Sequence, residues 1–461
     1  MAYLLVPLGV SATEATVWVA AINDHLDAAQ LVSQPDTNQA LRQVEPGHWT
    51  SQSGRDRVHY QRVTLRGLEP RTTYALELLI NGASTTSLAE GEFLRAQLTT
   101  LPDRLPTAFE KPFTVLLGSC FCTRQDKVGM VGRTYFHLPA GERPDVKILA
   151  GDQVYLDDPW DHFLFNTHTP VELESRFFST YLDAWRQGGF DSGFRKLLMT
   201  GANYFCSDDH EFWNNAPNRG SYVLDTWPFF DQREAWLQSA RTLYRIFQTP
   251  SHLTTFSVGT LSFCIADTRI NRRPDRTHFM DDVALRGVER WIRDLPGPGV
   301  LVLGQPLLSE QTGFLQGHFA DWTLADYEQY APLARQLAQS RHSIVVLTGD
   351  VHFGRIARCT LPSGVDLLEV ISSPMALVDT KAEGRWIEAP QFPAFGIPGV
   401  VKAKTQTEQG FQFTQSHFLT LEFSAAGAFT NMTVKLWPVV QDAGMPHSTI
   451  IYPTDNQKFL Q

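Results

Sequence analysis

The stretch ILAGDQVYLDD, Ile148 to Asp158, decides how the rest of the chain is read. Apolar residues run straight into Gly151 and Asp152, and a tyrosine, Tyr155, follows three positions later. A short apolar run of this kind is a buried strand. A carboxylate placed directly after it is costly to bury unless it is paired or bound to a cation. The position therefore reads as half of a metal site, with a helix N-cap at Asp152 as the bland alternative. Similar runs recur in FTVLLGSC, LSFCIADTR, GVLVLGQP and SIVVLTGD, and most of them stop at a glycine followed by a polar or reactive residue. Such runs alternate with helical spacing, as in VALRGVERWIRDL, and predict an α/β unit with its functional residues at the carboxyl ends of strands.

Upstream the pattern is different. TVWVAA, HYQRVTL and YALELLING are rich in β-formers, the last ends in an Asn-Gly turn signal, and no long amphipathic helix is evident. VTLRGLEPRTTYALEL places a Pro turn ahead of Tyr74, in the manner of a fibronectin type III corner where the tyrosine hydroxyl ties down the chain. Residues 1–104 are expected to form an N-terminal β-sandwich of the Ig or fibronectin type. Residues 99–112 hold three prolines and mixed charge and read as a linker, and residues 110–455 form the second unit. No internal repeat or low-complexity tract is present.

Composition narrows the function classes. A chain of 461 residues is long for one core, and 43% hydrophobic residues fit a globular protein. The formal net charge of -10 argues against a nucleic-acid partner but not against a small phosphate ester, because a metal supplies positive charge locally. Five scattered cysteines do not make a disulfide framework. No run reaches the length of a membrane span and the start lacks a basic leader pattern, so a cytoplasmic protein without a membrane partner is expected.

Four strand ends carry donor groups. LLGSCF presents Cys120, with Cys122 read as a packing residue beside it. LAGDQVY presents Asp152 and Tyr155. YFCSDDHEFWNN gathers two acids, a histidine and a glutamate, more than one N-cap explains. VVLTGDVHFG presents Asp350 and His352, two apart on an extended segment and so on one side. Thiol, phenol, carboxylate and imidazole donors together suggest at least two ions of different hardness. His162, His168 and His278 are read as surface residues.

The order G-S-C, G-D-Q-V-Y, D-D-H-E, D-T-R, G-D-V-H and S-S-P over residues 110–440 resembles the alkaline phosphatase D (PhoD-like) metallophosphatases of the calcineurin-like metallophosphoesterase superfamily. The resemblance implies a four-layer α/β/β/α catalytic unit behind the sandwich. It also implies hydrolysis of phosphate monoesters or diesters by metal-bound hydroxide, with small-molecule phosphate esters as substrates. It makes Asp152 the bridging carboxylate, Cys120 and Tyr155 ligands to Fe3+, and Asp209, Asp350 and His352 further metal ligands, with Ca2+ as the expected companion ion. His210 takes the place of the catalytic histidine. Gln305 stands where the superfamily often has a ligand histidine, and Ser207 where many relatives have tryptophan, as a change in the pocket wall. Asp267 is expected to pair with Arg269. The rival readings are a binding or adhesion protein with a vestigial metal site, and an esterase, for which no G-x-S-x-G elbow exists.

Overall fold

The computed structural model describes residues 3–27, 29–35, 42–84, 94–189, 191–219, 223–229, 231–312, 321–377, 388–411, 416–439, 446–453 and 459–461. The chain is mixed α/β. Its first hundred residues supply β1 (Tyr3–Val10), β2 (Glu14–Ile22), β3 (Ala29–Gln34), β4 (Arg42–Thr50), β5 (Arg57–Arg66), β6 (Thr73–Ile80) and β7 (Arg95–Thr99). They form two antiparallel sheets, in the orders β1-β2-β5-β4 and β3-β6-β7. The Asn81-Gly82 turn has positive φ at both residues, as a tight hairpin turn requires, and Ile80 and Ala83 exchange backbone hydrogen bonds across it at 3.1 Å. The Tyr74 hydroxyl accepts the Glu69 N–H at 2.9 Å.

The rest of the chain builds two larger sheets. β8 (Phe113–Gly118), β9 (Val146–Ala150) and β10 (Ala202–Cys206) run parallel. Next come β11 (Leu253–Val258), β12 (Leu261–Ala266), β13 (Gly299–Val302), β14 (Ile344–Thr348), β15 (Gly354–Thr360), β16 (Asp366–Ile371) and β17 (Thr405–Phe411). They make a seven-stranded sheet in the order β11-β12-β13-β14-β16-β15-β17, with β12, β13, β14 and β16 parallel. Finally β18 (His417–Ala426), β19 (Phe429–Pro438), β20 (Thr449–Tyr452) and β21 (Phe459–Leu460) join β8 to complete the other seven-stranded sheet.

Every residue of β8, β9, β13 and β14 is buried, so these strands are apolar on both faces rather than alternating. One face of each large sheet contributes to a shared core: Val115, Leu117 and Ile148 meet Phe263, Val300 and Leu347. The opposite face of the β8 sheet packs on the helices Pro170–Arg186 and Gln232–Phe247. That of the β12 sheet packs on Asp282–Arg293 and Tyr330–Ala338. The helix Asp282–Arg293 is capped by Asp281, which accepts the Ala284 N–H, and it turns Ala284, Leu285, Val288 and Ile292 inward at helical spacing.

The N-terminal sheets are not tethered loosely. Leu5, Val17 and Leu76 belong to the same core as the large sheets. Tyr204 on β10 bonds both the N–H (2.9 Å) and the carbonyl (3.0 Å) of Val10, and Asn203 donates to the Pro7 carbonyl at 2.7 Å. The proline-rich 99–112 segment is itself fixed, because Glu110 gathers Arg71, Arg104 and the Thr107 N–H, each within 2.9 Å.

Candidate metal centre

Strand ends from both large sheets converge at one edge of the shared core. β8 delivers Ser119 and Cys120, β9 delivers Asp152, β10 delivers Asp208, Asp209 and His210, and β14 delivers Asp350. Close approach explains the glycines. Gly151 has φ 97°, and a Cβ there would stand 2.6 Å from the Asp208 Cβ. A Cβ on Gly349 would stand 2.3 Å from Ser119 Oγ and 2.6 Å from the Ala150 carbonyl. The donor residues are themselves strained: Cys120, Asp152, Asp350 and His352 all have φ between 55° and 71°. Each such residue costs about 1–3 kcal/mol and persists only where its surroundings impose it, a pattern typical of functional sites.

Asp152, Asp208, Asp209 and Asp350 each offer a carboxylate oxygen, and these oxygens lie within 4.8 Å of one another. Cys120 adjoins them, its Sγ 3.4 Å from Asp152 Oδ2 and 3.4 Å from the Asp350 carbonyl. The Tyr155 ring stacks on His210 with centroids 4.0 Å apart. Its hydroxyl is buried with no hydrogen-bond partner among the described residues, and so is Asp208 Oδ2. A buried polar atom without a partner costs about 1–3 kcal/mol and calls for an explanation. A cation ligated by these atoms is one.

Electrostatics point the same way. Burial, reinforced by the Asp209 carboxylate, raises the Asp152 pKa well above the usual carboxylate range. Burial, then Asp208 and Asp209, does the same to Asp350. Burial pushes Asp208 up to about 7 against the opposing pull of Arg269. The Cys120 thiol and the Tyr155 phenol are raised first by burial, then by Asp152 and Asp350 for the thiol and by Cys120 and Asp152 for the phenol. Without a cation the pocket favours protonated donors. A bound cation reverses this, and ligation would release protons.

The framework behind the donors is dense. Glu211 is fully buried and accepts the N–H groups of Asp152 (2.9 Å), Gln153 (2.7 Å) and Asp208 (2.8 Å), riveting the loop after β9 to the loop after β10. Burial raises it to about 7, opposed by those N–H groups. Asp157 accepts His210 Nδ1–H at 2.7 Å through one oxygen and the Asn214 N–H at 2.8 Å through the other. Burial works against a charge on His210, but Asp157, Asp209 and Asp152 outweigh it and raise its pKa well above the ordinary histidine value. His210 keeps 17% of its side chain exposed, so its free edge is reachable. Ser373 Oγ donates to Cys120 Sγ at 3.1 Å and accepts the His352 N–H at 3.0 Å.

Several expectations change. The mutually close donor set includes Asp208, which the sequence left unassigned, and leaves Cys120, Tyr155 and His352 outside it. Gln305 does not face the cluster as a ligand: its Nε2 donates to Asp350 at 3.0 Å and to Asp321, and its Oε1 accepts from Arg272 at 2.7 Å. The Arg269 guanidinium pairs not with Asp267 but with Asp208 (2.6 Å) and, in a fork, with Asp321 (3.0 and 2.6 Å). Asp267 takes only its backbone N–H, at 2.9 Å, and Ser207 is buried behind the site with its hydroxyl on Asp267 at 2.8 Å, not in a pocket wall. His168 is no surface residue; it sits against the buried Asp225 at 2.7 Å. Cys122 is buried and stands 4.0 Å from Asp158. Asp157, Asp208, Glu211 and Ser373 went unassigned in the sequence. Only their position in the DQVYLDD, SDDHE and SSP motifs marked them.

No family model matches this chain, and no curated protein matches it. Among solved structures, amylomaltase from Corynebacterium glutamicum is similar over 31% of this chain and 20% of its own, with 16% identity and a TM-score of 0.14. The chain thus spans about a fifth of that protein, and a likeness of this extent carries no argument about fold or chemistry.

Proposed function

We propose that the chain is a metal-dependent phosphoesterase of the PhoD-like type, cleaving phosphate monoesters or diesters. In this reading the two large sheets and their helices are the four-layer catalytic unit, and the N-terminal strands are an Ig or fibronectin-like sandwich. The observation that carries the reading is the set of four carboxylates at converging strand ends, flanked by a buried thiol and by a buried phenol that has no hydrogen-bond partner among the described residues.

Asp152, Asp208, Asp209 and Asp350 would hold cations together with Cys120 and Tyr155, the thiolate and phenolate suiting Fe3+ and the carboxylates a harder companion such as Ca2+. Bound cations would neutralise the phosphoryl oxygens and acidify an attacking water. The chain's own part follows from His210. Its Nδ1–H is fixed on Asp157, so its Nε2 edge carries the proton of the imidazolium toward the substrate. There it protonates the departing alkoxide or hydrogen-bonds a phosphoryl oxygen. Glu211 holds the backbone of Asp152 and Asp208 so that the carboxylates do not splay apart.

The test is metal analysis of the purified protein alongside turnover of p-nitrophenyl phosphate and bis(p-nitrophenyl) phosphate, before and after treatment with chelator. Stoichiometric metal and chelator-sensitive turnover are expected. Protein that binds no metal and cleaves neither ester refutes the reading.

A further inference from the structure

A cavity of about 700 Å3 opens between the helix Gln232–Phe247 and the segment from Asn271 to the first residue, Asp282, of the next helix. None of the four clustered carboxylates lines it. Five arginines do: Arg233, Arg241, Arg245, Arg272 and Arg273, against three acids, Glu234, Asp281 and Asp282. A local excess of arginine in a chain of net charge -10 is not a matter of composition.

The acids are largely committed elsewhere. Asp281 caps its helix through the Ala284 N–H at 2.8 Å, and Asp282 pairs with His278 at 3.2 Å. Two arginines are committed as well. Arg272 donates to Thr268 O (3.0 Å), Trp322 O (3.2 Å) and Gln305 Oε1 (2.7 Å), and Arg233 donates to the carbonyls of Thr226 and Pro217. The other three are not. Arg241 donates through Nε to the Ile270 carbonyl at 3.1 Å, and neither it, Arg245 nor Arg273 forms an ion pair among the described residues. Arg241 and Arg245 are four apart on one helix face, an arrangement of like charges that destabilises the helix unless an anion joins them. Burial disfavours the charge on Arg241; the nearby Glu234 carboxylate opposes this in part, and Arg245 adds to it to a lesser degree.

We propose that this cavity is a second ligand site, which takes a small molecule carrying two or more phosphate charges, held by Arg241, Arg245 and Arg273. Guanidinium groups grip phosphate oxygens in bidentate fashion, and a cavity of this size suits a ligand of nucleotide or sugar-bisphosphate dimensions. Arg272 ties the cavity to the carboxylate cluster, since it lines the one and bonds Gln305, whose amide donates to Asp350 in the other. The site goes beyond the hydrolytic reading and stands whether or not that reading holds.

The test is isothermal titration calorimetry of the full chain with fructose 1,6-bisphosphate, with and without added salt. One saturable, salt-sensitive site is expected. Arg241→Gln with Arg273→Gln should weaken it at least tenfold, and Asp152→Asn should leave it in place. If the double variant does not fold, Arg245→Gln alone should still weaken binding severalfold. Absence of saturable binding at millimolar ligand overturns the proposal. So does binding that ignores the arginines, and so does binding that disappears with Asp152→Asn, which would assign the anion to the carboxylate cluster.

Discussion

Replacing Asp157 by Asn tests the role given to His210 without touching a candidate ligand. Both Asp157 oxygens accept, one from His210 Nδ1–H at 2.7 Å and one from the Asn214 N–H at 2.8 Å. Asparagine offers one acceptor oxygen, and its amide nitrogen must face one of these two donors. Either the loop at Asn214 loses its bond or His210 is pushed to the tautomer with hydrogen on Nε2, and in both cases the imidazolium loses its counter-charge. A hydrogen bond to a charged group contributes about 1.5–3 kcal/mol. Each ~1.4 kcal/mol is tenfold in rate, so kcat/KM for a poor leaving group should fall about 10- to 150-fold. Metal content should not change. The assay is a series of aryl and alkyl phosphates of rising leaving-group pKa, with metal content measured on each preparation. The loss should be largest for alkyl esters and small for p-nitrophenyl phosphate. An unchanged rate, or an equal loss across the series, would refute the proton-transfer reasoning, and the second result would leave His210 with a positioning role only.

Asp152→Asn should abolish most activity and most bound metal, because a neutral amide cannot serve a cluster whose other members remain anionic; full metal content and full rate together would sink the cluster as a metal site. Tyr155→Phe removes a buried hydroxyl that has no hydrogen-bond partner among the described residues. Metal-free protein should therefore be as stable or more so in urea unfolding, while iron affinity and any visible charge-transfer band should fall; a less stable metal-free variant would mean that the hydroxyl is bonded after all. Arg269→Met leaves Asp208 and Asp321 without their shared cation and should cost about 3–5 kcal/mol in urea unfolding, and a cost within ~0.5 kcal/mol would show that the guanidinium is not the brace described.

The α/β character and the places where chemistry gathers were legible because both are written locally. A strand buried on both faces is a run of apolar residues, so β8, β9 and β14 could be read directly, and the residue after each run is necessarily at a strand end. The hairpin at Asn81-Gly82 is equally local, since positive φ at two successive positions selects those residue types. The types of donor at Cys120, Asp152, Tyr155, Asp209 and Asp350 were likewise open to reading. Which side chains meet was not. Asp157 reaches His210 across 53 positions, Arg269 reaches Asp321 across 52, and Ser373 reaches Cys120 across 253. Parallel pairing of β8, β9 and β10 sets the ends of these strands side by side, and the core shared by the two large sheets brings the end of β14 to them. Spacing of two residues put His352 on the same side as Asp350, but positive φ at both residues breaks the extended geometry on which that inference stood. Asp208, held by Arg269 from a distant loop, joins the carboxylates of Asp152, Asp209 and Asp350. Side-chain identity is thus a property of the local sequence, while partner and direction belong to contacts that exist only once the sheets have closed.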